Sequence, residues 1–129
     1  MPLSLGTWQA NVNGSECSLM IDSLDQQMNT FSGRLGLVAV TGFWNESAQI
    51  ITFSFNQLPS SDGILNVAIF TGYLFRTPIN PEPGRDVVAT LAGFVQSDAL
   101  RAYSGNNLPI IATARRNIFG WYAQITEIQ

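Results

Sequence analysis

The sequence predicts an all-β chain, an eight-stranded antiparallel up-and-down β-barrel, on three observations. Its apolar stretches alternate with polar residues or are rich in β-branched and aromatic residues, as pleated strands require. Turn-forming residues interrupt those stretches at short intervals along the whole chain. No segment carries the period of a long helix. At 129 residues the chain fits one domain, residues 1–129, with room for a sizeable core.

The strands follow in order. Gly6 to Val12 and Cys17 to Asp22 flank Asn13-Gly14, the preferred pair for a type I′ hairpin, because both central positions need positive φ. Thr30 to Val38 and Val40 to Asn45 come next, then Gln49 to Asn56, Leu65 to Arg76, Asp86 to Gln96 and Ile110 to Glu127. The connections are Asp22 to Asn29, Gln57 to Gly63, the proline-rich Thr77 to Arg85, and Ser97 to Pro109. Within the last of these, Asp98 to Tyr103 suits one helical turn. Gln49 to Asn56 sets Ile51, Phe53 and Phe55 on one face and Thr52 and Ser54 on the other. A barrel filled by side chains turns the Phe face inward, and one with a polar pocket turns Ser54 inward.

Composition narrows the chemistry. The chain has no His, and all six basic residues are Arg. That removes Ser/His/Asp and Cys/His relays, Schiff-base and P-loop lysines, and imidazole metal ligands. Cys17 is the single cysteine, which excludes an intrachain disulfide and a thiolate metal cluster and leaves a small apolar packing residue. We therefore expect no enzyme, no cofactor and no metal. A net charge of −3 gives no attraction to phosphate backbones, and no apolar run reaches the length of a membrane helix, so neither nucleic acid nor membrane is an expected partner.

Gly6-Thr7-Trp8 followed by Asn11-Val12-Asn13-Gly14-Ser15 resembles the opening of the avidin and streptavidin family. Phe31-Ser32-Gly33, Phe70-Thr71-Gly72 and Arg116-Asn117-Ile118-Phe119 continue the likeness in order along nearly the whole chain, with one extra residue between Trp8 and Asn11. The resemblance implies an avidin-like barrel that binds biotin or a biotin-like ligand. Asn11, Ser15 and Asn117 would hold the ureido head, and Phe55, Phe70 and Phe94 would form the apolar walls. It also implies Trp8 stacked under Arg115 or Arg116, a homo-oligomer (dimer or tetramer), and secretion. The opening residues, however, lack the charged start and apolar core of a signal peptide.

Departures from the family pattern imply weakened affinity. The tyrosine expected near Leu35 is missing, Phe55 and Phe70 stand near two pocket tryptophan positions, and Ala92 or Phe94 stands near a third. Pro109 lies where many tetrameric members give a Trp to the neighbouring subunit. Trp44 and Trp121 have no family role and either pack internally or face an oligomer interface. Turn and strand-end hydrogen bonding is the alternative reading of Asn11, Ser15 and Asn117. Two further readings stay open: a structural or interaction barrel that has lost ligand binding, and a lipocalin-like carrier of an apolar ligand.

Overall fold

The computed structural model describes residues 2–57, 64–79, 86–103 and 111–128, excepting the side chains at 55–57, 64–66, 100–103 and 111–113. Eight strands follow in order: β1 Gly6–Val12, β2 Ser15–Asp25, β3 Thr30–Leu35, β4 Val38–Asn45, β5 Ile50–Gln57, β6 Ile64–Pro78, β7 Val87–Tyr103 and β8 Ile111–Glu127. Each pairs antiparallel with its chain neighbour, and β1 returns to β8 to close the barrel. The closing seam runs from Gln9 opposite Gln124 to Val12 opposite Trp121. β8 continues past it, so Ile111 to Phe119 pair with β7 but with no residue of β1.

The first hairpin sets the register. Asn13 and Gly14 have φ of 51° and 87°, the left-handed pair that a two-residue turn needs to match strand twist. Val12 then opposes Ser15, and alternation sends Trp8 and Ala10 of β1 and Leu19 and Ile21 of β2 into the interior, where all four are buried. On β5, Ile51 and Phe53 are buried and Ser54 is exposed, so the interior is packed by side chains on this strand.

Two expectations are corrected. The helical turn proposed for Asp98 to Tyr103 is strand: β7 runs through these residues, with Arg101 opposite Ile64 of β6 and Thr113 of β8. Ladders on both sides occupy the backbone groups that a local turn would use. Trp8 is not stacked under Arg115 or Arg116, because those arginines pair with Ala99 and Asp98 at the far end of β8. Arg116 lies about 26 Å along the strand from Gln124, the residue opposite Gln9. Parts of three expected connections, at 58–63, 80–85 and 104–110, lie outside the described residues.

An aromatic block fills the middle of the barrel. Phe53 and Phe70 stack with centroids 4.6 Å apart, and Phe31 meets Phe53 edge-on at 5.9 Å. Trp121 stands edge-on to Phe53 and Phe70 at 5.5 and 5.6 Å, and its Nε1 donates to the Thr71 carbonyl at 3.1 Å. Edge-to-face and offset contacts of this kind add to the gain from burial alone. Gly72 makes room for the indole, since a Cβ there would lie 2.7 Å from Trp121 Cζ2.

The end of the barrel where β1 begins is closed by the chain's own start. Leu3 is buried, Trp8 Nε1 donates to the Ser4 carbonyl at 3.1 Å, and Ser4 Oγ donates to Glu127. Arg76 Nε donates to Glu127 Oε1 at 2.7 Å, and its Nη2 donates to the Pro2 carbonyl at 2.8 Å. Arg76 and Glu127 are only 16% and 12% exposed, so each depends on the other for its charge. Burial pushes the Glu127 carboxyl up, but hydrogen bonds from Arg76 and Ser4 and the Arg76 charge outweigh it and leave the carboxyl below its ordinary range.

Two measurements test this packing. Gly72→Ala should cost about 1–3 kcal/mol by displacing the Trp121 indole, whereas Ala at the fully exposed Leu37 should stay within about 0.5 kcal/mol. Urea melts of both variants check it. Because the folded-state pKa of Glu127 lies below its ordinary value of 4.5, its stabilisation is complete above that pH and is lost as pH falls through the lower folded value. Thermal melts in acid should therefore show a shallower loss for Glu127→Gln than for the parent chain.

Candidate functional site

Of the six residues expected to hold a ligand, the five whose side chains are described do not assemble. Asn11 lies between the inward Ala10 and Val12, so alternation sets it on the outer wall, where its Oδ1 accepts the Gly14 N–H at 2.8 Å. Its role here is to fasten the hairpin. Trp8 is buried, and Asn11, three positions further along the same strand, falls on the opposite face. Phe94 is likewise outside: Val95 beside it is buried, and Phe94 is exposed opposite Thr71 and Gly120.

Phe70 is inside, but as a member of the aromatic block and not as the wall of a pocket. Ser15 is exposed at the start of β2, opposite Val12, while Asn117 is exposed on β8 opposite Ser97. Asn117 therefore sits about 13 Å up the strand from Trp121, the partner of Val12, and the two polar groups do not converge. The Phe55 backbone pairs with Ala68, and its side chain lies outside the described residues, as does Pro109.

The interior carries apolar chemistry. Among the described residues no polar or charged side chain is buried, and the Cys, Asp and Glu residues do not group as a metal site. Trp44 and Trp121 both pack inward; the Trp44 Nε1 donates to Glu46 at 2.7 Å. Cys17 is partly covered and packs against the core, and burial pushes its thiol up, away from the reactive thiolate. A cyclic urea in the barrel centre would find no polar partner among these groups, and burying its head unpaired is costly.

The outer wall is where residue types separate. Across β2 to β5 one register row reads Ser23, Ser32, Thr41, Ser54, and the adjacent row reads Asp25, Thr30, Phe43, Thr52. Across β6 to β8 the outward positions include the large apolar residues Ile69, Tyr73, Phe75, Phe94, Ile118 and Tyr122, all between 40% and 65% exposed. The pairing makes them neighbours: Tyr73, Ala92 and Tyr122 form one row, and Ile69, Gln96 and Ile118 another. The sequence carries a signal for this face in β6, whose runs Val67-Ala68-Ile69-Phe70 and Tyr73-Leu74-Phe75 are apolar at consecutive positions. Consecutive apolar residues on a strand mean that both faces are apolar.

One charged pair borders this apolar wall. Arg116 Nε donates to Asp98 Oδ1 at 2.9 Å across β7 and β8, so the two charges satisfy each other. Asn11→Ala should lower stability by about 1 kcal/mol through loss of the turn hydrogen bond. Chemical denaturation checks that value, and an unchanged midpoint would remove the hairpin role. Comparison of the chain with protein-family models, with curated proteins and with solved structures found no match.

Proposed function

We propose that this chain is a non-enzymatic interaction barrel whose working surface is the outer wall of β6 to β8, and that this wall takes a second copy of the chain. The observation that carries the reading is the contiguous array of Ile69, Tyr73, Phe75, Phe94, Ile118 and Tyr122. With about half of each side chain exposed, the array offers roughly 500–600 Å² of apolar surface. Exposed apolar patches of that size mark interaction sites. Together with the intervening Thr71, Ala92 and Gln96, the face approaches the roughly 800 Å² per partner of a standard interface.

Two further features favour self-association. A two-fold axis brings the same patch against itself, and a face without unpaired charge meets no repulsion when it does so. The Asp98–Arg116 pair at its border is internally neutralised. A membrane-spanning barrel has the reverse pattern, an apolar band around its whole outside and a polar interior. Here the wall of β2 to β5 is hydroxyl-rich and the interior is apolar.

The biotin reading has less support, since the expected head-group residues diverge and aromatic rings fill the centre. Titration calorimetry with biotin at about 1 mM is expected to give no heat. Light scattering of the parent chain at tens of micromolar is expected to give a dimer, and Phe94→Glu a monomer with an unchanged far-ultraviolet dichroism spectrum. A monomeric parent chain would overturn the self-association. Binding to lipid vesicles that Phe94→Glu abolishes would instead make the partner a membrane.

A further inference from the structure

We propose that the wall of β2 to β5 carries a separate binding site for an extended, neutral oligosaccharide. The site is a hollow of about 470 Å³ on the outside of the barrel, lined by Ser23, Asp25, Ser32, Thr41, Phe43 and Ser54 among others. That volume falls within the range of small-ligand sites. It involves none of the six residues of the apolar wall and does not depend on self-association.

The chemistry follows from what each group offers. Phe43 is 64% exposed in a row otherwise made of Asp25, Thr30 and Thr52, with no apolar neighbour in that row to cover its ring. A pyranose has one face of C–H groups and a rim of hydroxyls, so an isolated ring beside hydroxyl side chains matches both surfaces at once. Ser23, Ser32, Thr41 and Ser54 occur on four successive strands at one register level, a row of about 14 Å at ordinary strand spacing. Hydroxyl side chains donate or accept by rotating, which suits the hydroxyl rim of a sugar. Ser23 and Ser32 already share a hydrogen bond of 2.6 Å, which holds that end of the row.

Asp25 supplies a fixed acceptor. Its Oδ1 takes the N–H groups of Gln27 and Met28 at 3.0 and 3.1 Å, anchoring the carboxylate and leaving Oδ2 for a ligand hydroxyl. Among the described residues no cation lines the hollow, and the Asp25 carboxylate repels anions, which disfavours a phosphate or an acidic glycan. The four hydroxyl groups sit at one register level on successive strands, so a ligand meets all of them by lying along the row, as an extended chain does and a coiled one does not.

The test is titration of the full ¹⁵N-labelled chain with cellohexaose, and in parallel with maltohexaose, followed by amide chemical shifts. Saturable shifts centred on Ser32, Thr41 and Ser54 are expected with cellohexaose, and weaker ones with maltohexaose. Phe43→Ala should weaken binding by about tenfold or more. Asp25→Asn, whose Oδ1 can keep the turn hydrogen bonds, should weaken it by about threefold or more. Both side chains are exposed, and an unchanged melting temperature confirms that the fold is intact. The absence of shifts at about 10 mM cellohexaose, shifts centred on Phe94 and Tyr122, or undiminished binding in Phe43→Ala would each overturn the proposal.

Discussion

Gln9 to Val12 of β1 meet Gln124 to Trp121 of β8, and this short seam turns a meander into a barrel. Without it β1 and β8 are open edges with unpaired backbone groups. With it, alternation acquires a fixed meaning on every strand, because a closed wall has one inside and one outside. Trp8, Ile51, Phe53, Phe70, Leu91 and Trp121 are inside for that reason. The hairpin at Asn13-Gly14 supports the seam by delivering β1 in register, and the Asn13 N–H donates to the Gly120 carbonyl just beyond the seam at 3.1 Å.

Once the interior is committed to aromatic packing, specificity moves to the outside. The wall divides into a hydroxyl-rich half on β2 to β5 and an apolar half on β6 to β8. The division reflects strand composition. β6 is apolar on both faces, whereas the outward positions of β3 and β4 include Thr30, Ser32, Arg34 and Thr41. The two halves offer different chemistry to different partners without competing for the same residues.

Strand order and turn chemistry were legible in the sequence because both are local. The eight strands lie near the positions that alternation predicts, and Asn13-Gly14 forms the turn its residue types require. The errors arose where long-range pairing decides. Asp98 to Tyr103 has the composition of a loop or helical turn, yet two flanking ladders extend it. Asn11 and Phe94 face outward, a property set by the parity of each strand, which a one-residue shift reverses. The partner of Glu127 at the closed end is Arg76, separated from it by the whole of β7 and most of β8, and no spacing rule connects them.

The seam also has an entropic meaning. It joins residues more than a hundred positions apart, Val12 and Trp121, whereas the first hairpin joins Val12 and Ser15. Loop-closure entropy grows with the logarithm of loop length, so forming the seam directly from the unfolded chain costs about 3–4 kcal/mol more than closing the hairpin. Strands already zipped between β2 and β8 shorten that effective loop. The order in which the ladders form thus determines how large a search remains for the last one, and the strand pair that defines inside and outside is the one least able to form by itself.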